Sequence, residues 1–426
     1  MKKGLNIRLY LNLKQQKLAE KTFGATRFVY NHVLGLKKEL WEEYKLSYNP
    51  KLAGFKEEWP FLTKIPSQAL ANAYMDCMNS FKNFFNGKSG KTNNKQKYPK
   101  FHKKGKCKDS FRLSCTYPNK AKENNKGDIR ILDKNHIQIP KFGKITFAGY
   151  NDLDWSKVHI YNITISKSKI GNYYGSICIE IEEPKSIEAK YAETAFDLGL
   201  KDFAIFDDGT VEENPKYFRK SQNKLAKEQR KLSHCVKGSN VYKKQRIKVA
   251  KIHEKIKNRR KDFQHKISHR IVIENQNIYS EDLRPSNMLK NHKLAKSIQD
   301  AAFGSFCNMI SYKSLMYHRT YIKIGKFFPS SKICHCCGNK YKELKLSERF
   351  WTCEKCGTYL DRDENAALNI LKEGQRIFQS TVGNTESLGK YPSKPIDTGL
   401  VTNLESELLS NPSNEGPLLS QSDRFH

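Results

Sequence analysis

The chain has 426 residues, enough for two or three domains, and carries 77 Lys and Arg against 44 Asp and Glu. A net charge of +33 repels itself unless a polyanion shares the surface, which points to nucleic acid ahead of a membrane surface. There is no apolar run of about 20 residues to span a bilayer and no signal-peptide core, and seven of the 11 cysteines are scattered, so reduced thiols in the cytoplasm are expected.

Leu5, Ile7 and Leu9 alternate with the period of a strand within Leu5–Tyr10. A helical stretch is predicted from Lys14 to Tyr44, with Leu18, Phe23, Phe28, Tyr30 and Leu34 on its apolar face and Gly24 as a break between two helices. A second amphipathic helix is predicted from Pro66 to Phe85. From Gly87 to Asp109 the chain reads as a basic loop in which Lys97, Tyr98, Lys100, Phe101, Lys103 and Lys104 mix rings with cations. That mixture suits stacking on unpaired bases and contact with phosphates, and the two rings suit anchoring the loop to a core equally well. Short strands over 128–132, 136–140, 144–147, 158–166 and 173–181 predict a small β-barrel or sheet, interrupted by the helical insert.

A polar linker over 183–190 ends that region. Residues 195–200 and 203–206 read as strands, and Asp208-Gly209 as a hairpin turn into Val211. Residues 217–270 hold 19 Lys and Arg against the three acids Glu228, Glu254 and Asp262, with Ile252, Ile256, Phe263 and Ile267 at helical spacing. So lopsided a segment favours phosphate contact over a merely solvated face, with Lys243, Lys244, Arg246, Arg259 and Arg260 as candidates. From Thr381 the tail is rich in Ser, Asn, Pro and Leu and carries more acids than bases, so disorder or loose docking is expected.

The pairs Cys334-x-x-Cys337 and Cys353-x-x-Cys356, 15 residues apart, suit tetrahedral zinc. His335 and Cys336 leave a different ligand set open, and Gly338 favours the first pair as written by easing a tight turn. Four protein ligands would make the zinc structural. Three acids stand at the ends of structured segments: Asp197 in a short apolar strand, Glu281 after Asn277–Ser280, and Asp363 at the head of an apolar helix. Each alone also fits a turn or cap, and Asp361 competes with Asp363 for one role. Together they could hold two magnesium ions at a phosphodiester, so that a zinc knuckle beside a carboxylate site on a basic chain points to a nucleic-acid-cutting enzyme.

These segments, in this order, resemble the TnpB (OrfB) family of transposon-associated RNA-guided DNA nucleases related to the type V CRISPR effectors. Arg8–Tyr10 and Thr22–Asn31 are similar to its N-terminal signature, and Ser80–Phe85, Tyr98–Gly105 and Asp109–Arg112 to its basic recognition region. Asp197–Phe203, Glu281–Leu283 with Asn291–Ser297, and Ser330–Gly357 with Asp361–Ala367 are similar to its nuclease motifs and zinc knuckle. The resemblance implies an α+β multidomain protein: a wedge-like β-barrel with a helical recognition insert, then an RNase-H-like (RuvC) α/β nuclease domain carrying the knuckle. It divides the chain into the first wedge strand (1–12), recognition domain (13–110), remaining barrel (111–185), nuclease domain (186–329), knuckle (330–360), final nuclease motif (361–380) and tail (381–426). It implies a non-coding guide RNA, target DNA paired with it, and a short adjacent motif read in duplex form. It gives Asp197, Glu281 and Asp363 the metal-binding roles, and Arg8, Tyr10, Arg27, Tyr30, Asn31 and Arg112 nucleic-acid contacts. The polar strand before Glu281 departs from the longer apolar run of the family. A guided binder that does not cut, or a transposase that joins strands itself, are the competing readings.

Overall fold

The computed structural model describes residues 1–386 apart from 46–48, 92–95, 118–125, 151–152, 183–186, 284, 342 and 345–347. It divides into two compact units near residue 183. The tail from residue 387 lies outside the described residues, although the last helix continues to Glu386, beyond the expected boundary at 380. Among the described residues no helix is long and apolar enough to cross a membrane.

The first unit contains, in order, β1 (Lys2–Tyr10), α1 (Leu13–Tyr44), α2 (Gly54–Glu58), α3 (Ser67–Lys88), β2 (Ser110–Ser114), β3 (Arg130–Asp133), β4 (His136–Ile139), β5 (Gly143–Ala148), β6 (His159–Lys167) and β7 (Tyr173–Glu180). The alternation in β1 has its expected consequence. Leu5, Ile7 and Leu9 are buried at the centre of a seven-stranded antiparallel sheet, with Leu5 registered on Ile177 and Leu9 on Phe147. Asn12 starts α1 with a capping box, and the Gln15 amide that completes it also donates to the carbonyls of Phe142 and Lys144, both at 2.9 Å. The helix then runs unbroken through Gly24, contrary to the predicted break. One glycine costs a helix about 1 kcal/mol, which burial of Ala19, Phe23, Val29, Val33 and Leu34 outweighs.

The expected barrel is not closed. Strands run in the linear order β2-β6-β7-β1-β5-β4-β3, and among the described residues no ladder joins β2 to β3. The Asn72 amide of α3 donates to the Arg112 carbonyl of β2 at 2.9 Å, so a helix side chain serves that edge where another strand would be needed for closure. Strand β2 itself was not anticipated as a strand.

The second unit contains β8 (Tyr191–Leu198), β9 (Asp202–Phe206), β10 (Val211–Glu213), α4 (Tyr217–Ser233), α5 (Asn240–Glu274), β11 (Asn275–Glu281), α6 (Pro285–Met288), α7 (Ala295–Ala301), α8 (Phe303–Met316), β12 (Thr320–Ile324), β13 (Phe350–Thr352), β14 (Tyr359–Asp361) and α9 (Arg362–Glu386). Its main sheet has the order β10-β9-β8-β11-β12. Strands β8, β9 and β10 form an antiparallel meander, and β11 lies parallel to both β8 and β12. Phe196, Leu198 and Ile278 point to one face and pack with Ile267 and Ile271 of α5 and Phe303 and Phe306 of α8. Ala195, Tyr279, Ile322 and Ile324 point to the other and pack with Ile370 of α9. The polar strand β11 is viable in the middle of this sheet because its buried hydroxyl has a partner, with Ser280 Oγ 2.7 Å from Tyr321 Oη.

Helix α9 reaches the sheet through a glycine. A Cβ on Gly374 would stand 2.3 Å from Cδ1 and 2.9 Å from Cβ of the buried Tyr279. Gly374→Ala is therefore expected to cost about 1–3 kcal/mol through overpacking, despite the higher helix propensity of alanine. Denaturant unfolding of the metal-loaded protein measures this, and an unchanged midpoint would show that α9 does not depend on the close approach.

Candidate metal centre and carboxylate site

The four cysteines come together as the spacing requires. Their sulfurs all lie within 4.8 Å of one another, with Cys334–Cys356 at 3.6 Å and Cys337–Cys353 at 3.5 Å. Sulfurs about 2.3 Å from a tetrahedral zinc stand about 3.8 Å apart, so the cluster fits that ion. Each pair is shaped by a glycine in the left-handed region: Gly338 (φ 73°) donates to the Cys334 carbonyl and Gly357 (φ 72°) to that of Cys353. Trp351, Leu344 and Leu360 bury the cluster from one side, with Tyr341 stacked on Trp351. His335 and Cys336 stay outside it. The His335 amide and ring bond to Asn365 Oδ1 at 2.9 and 3.1 Å, and Cys336 is exposed.

Asp197 lies in β8 one residue beyond Phe196, and Glu281 ends β11 one residue beyond Ser280, the partner of Phe196 in the parallel register. By alternation both point to the face that α9 covers. Asp363 stands in the first turn of α9. The Asp361 carboxylate accepts from the amides of Asp363 (2.8 Å) and Glu364 (3.1 Å), so Asp361 is the cap and Asp363 is free of that duty. Burial, and then the charges of Glu281 and Asp363, push the Asp197 carboxyl up to about 7. Burial also raises Glu281, opposed by a hydrogen bond from Ser330. Among the described residues the carboxylates are less tightly gathered than the thiols. Asp363 instead pairs with Arg349 at 2.6 Å.

Ser330, Arg349, Asn365 and Asn369 were not anticipated. The amides of Asn365 and Asn369, on one face of α9, both donate to the Ile333 carbonyl and so tie the helix to the start of the knuckle. Two asparagines four residues apart on an apolar helix were a usable signal. Ser330 and Arg349 carried none.

The structure sorts the sequence-predicted nucleic-acid residues into two groups. Asn31 clamps the His102 backbone through both amide atoms (2.7 and 2.9 Å), Tyr30 stacks on the His102 ring at 3.9 Å, and Arg27 pairs with Asp109 at 2.9 Å. These three hold the basic loop to α1. Arg112 pairs with Asp76 at 2.6 Å and Arg260 with Asp300 at 3.1 Å. Tyr10, Tyr98, Lys100, Phe101, Lys103, Lys104, Lys243, Lys244, Arg246 and Arg259 are exposed, and half-exposed Arg8 lies over the rings of Tyr10 and Tyr174. Tyr98 also meets Phe81 and Phe84 edge-on, so it anchors the loop as well as facing solvent.

Metal analysis is expected to find one zinc per chain, lost in Cys337→Ser and kept in Cys336→Ser. The reverse pattern would mean that Cys336 is a ligand. The Asp197 carboxyl, near 7 when folded and about 3.9 when unfolded, binds its proton more tightly in the folded state. Its ionisation therefore removes stability as pH rises from about 4 to 7. Free of divalent ions other than zinc, Asp197→Asn should be more stable than wild type at pH 8 by about 2–4 kcal/mol, with the gap closing toward pH 4. Equal melting temperatures at pH 8 would contradict this.

Comparison with known proteins agrees with the motif order. Residues 176–292 match a family model described as "Probable transposase" (OrfB_IS605), 303–370 one described as "Cas12f1-like, TNB domain", and 1–45 one described as "Helix-turn-helix domain". In this chain the last of these spans a strand and one continuous helix. A Streptomyces pristinaespiralis protein named "Putative RNA-guided DNA endonuclease" is 34% identical over 88% of this chain and 90% of its own length. The Escherichia coli (strain K12) protein "Putative RNA-guided DNA endonuclease InsQ" is 30% identical over 85% of this chain and 90% of its own. A solved structure titled "Cryo-EM structure of the Cas12f1-sgRNA-target DNA complex" aligns with 87% of this chain and 98% of its own at 12% identity, with a TM-score of 0.49, too low to bear on fold or partners. With two relatives matched over nine-tenths of their length at 30% identity or more, the chain belongs to the TnpB (OrfB) family.

Proposed function

We propose that this protein is an RNA-guided DNA endonuclease of a transposable element, cutting target DNA at Asp197, Glu281 and Asp363. The observation that carries this reading is the juxtaposition at Asp197. A half-buried carboxyl is held against the charges of two others, which destabilises the site unless protons or cations relieve it. The donor set is all carboxylate oxygen, the chemistry that suits magnesium. Bound there, a pair of magnesium ions would supply an activated water and stabilise the departing oxygen of a phosphodiester. The five-stranded sheet, an antiparallel meander followed by two parallel strands, supports an RNase-H-like reading of the second unit.

The residues of the chain supply the rest. β8 and β11 fix Asp197 and Glu281 side by side, the Ser330 hydroxyl orients Glu281, and Arg349 holds the Asp363 carboxylate in place. The exposed cations of α5 and of the loop after α3 would hold a phosphate backbone, giving binding that weakens steeply with salt. Guide RNA and target DNA are partners on the strength of the two curated relatives, each named an RNA-guided DNA endonuclease. The cysteine centre would hold a structural zinc that braces the start of α9.

The decisive test is cleavage of a matched target by the protein together with RNA recovered from its native locus. Cutting should require that RNA and magnesium, and Asp197→Ala should abolish it while retaining RNA and target binding. Cleavage without RNA would overturn the guided reading, and joined ends would favour strand transfer. Asp361→Ala should cost about 1 kcal/mol of stability and leave slower cutting. Asp363→Ala should abolish cutting with little loss of stability, and the opposite pattern would exchange their roles.

A further inference from the structure

Phe327 is 86% exposed, more than any other large apolar side chain among the described residues. Leaving such a ring in water is unfavourable. Its neighbours are fixed. Ile324, which ends β12, is registered against Glu281, the Phe328 amide closes a turn onto the Gly325 carbonyl at 3.0 Å, and Phe328 packs onto the core beneath α9. Two residues beyond Phe328, buried Ser330 donates to Glu281. Phe327 therefore projects from a short loop held at both ends beside the carboxylates, three residues from Ile324 and within about 11 Å of it by chain length. Lys326 Nζ lies 4.6 Å from the centroid of the Phe327 ring. Among the described residues the ring belongs to none of the hydrophobic clusters.

We propose that Phe327 and Lys326 form a substrate-seating element, in which the ring stacks on a base of single-stranded DNA close to the scissile phosphate and the amine meets a neighbouring phosphate. A flat exposed ring accepts any base, which suits a site whose sequence choice is made elsewhere. A cation beside the ring adds charge where the backbone must pass. The proposal rests on the nuclease reading above, and two measurements keep the failure of one distinct from the failure of the other.

The first measures target cleavage by the zinc-loaded full chain with its RNA, comparing wild type, Phe327→Ala and Phe327→Trp. Stacking on an aromatic ring is worth about 1–3 kcal/mol per base by alanine substitution, so Phe327→Ala should lower kcat/KM about tenfold or more. Phe327→Trp should restore it, with zinc content and melting temperature unchanged in both. Equal cleavage by Phe327→Ala, or failure of Trp to restore activity, would overturn the proposal. The second uses a short single-stranded oligothymidylate carrying one 2-aminopurine, with the cleavage-impaired Asp197→Asn protein. Quenching of its fluorescence should be present with Phe327 and lost in the Asp197→Asn, Phe327→Ala double variant. Should the wild type fail to cut, the nuclease reading falls while this quenching still decides the stacking. Identical quenching with and without the ring would overturn it.

Discussion

The close seating of α9 on the sheet of the second unit is the constraint on which the rest of that unit depends. At Gly374 the helix has no side chain, and the ring of Tyr279 fills the space a Cβ would need. Because the helix lies so near β11, Ile370 joins the core formed by Ala195, Tyr279, Ile322 and Ile324, and the first turn is delivered to the carboxyl end of the strands. The same helix holds the cysteine centre through Asn365 and Asn369. The cysteine centre and the candidate carboxylate site thus share one support, so that an ion held by the four thiolates would bear on the position of Asp363.

The carboxylate site runs against stability. Asp197 sits where burial and two like charges oppose its ionisation, and the fold offers only partial relief through Ser330, Arg349 and backbone donors. A protein selected for stability alone would replace such an acid with an apolar residue. Here the surrounding sheet carries the cost, since Ala195, Phe196, Ile278 and Tyr279 are among its most buried residues. Adjacent parallel strands hold Asp197 and Glu281 in register, while Asp363 is answered by Arg349.

In the first unit charge serves two different ends. Arg27, Tyr30 and Asn31 face inward to secure the loop through Asp109 and His102, and Arg112 is spent on Asp76. Lys100, Phe101, Lys103 and Lys104 are thereby displayed on a braced loop. A loop so held presents its cations with less ordering entropy left to lose on binding. The open sheet behind it needs no closure, because α3 serves one of its edges.

Local chemistry made much of this legible in the sequence. The period-two alternation of Leu5, Ile7 and Leu9 gave the central strand of the first unit, the Asp208-Gly209 turn gave the β9–β10 hairpin of the second, and two CxxC pairs gave the cysteine centre, since each signal lies within a few residues. The candidate acids were legible too, although only the ordered motifs singled them out from other turn and cap residues. Tertiary structure decided what depends on partners distant in the chain. It made Asp361 the cap and left Asp363 to pair with Arg349, paired Arg27, Arg112 and Arg260 with acids, left the sheet open, and carried α1 through Gly24. Periodicity records which face of an element is apolar. Which element will cover that face, and which charge will answer another across tens of residues, is fixed only when the chain packs.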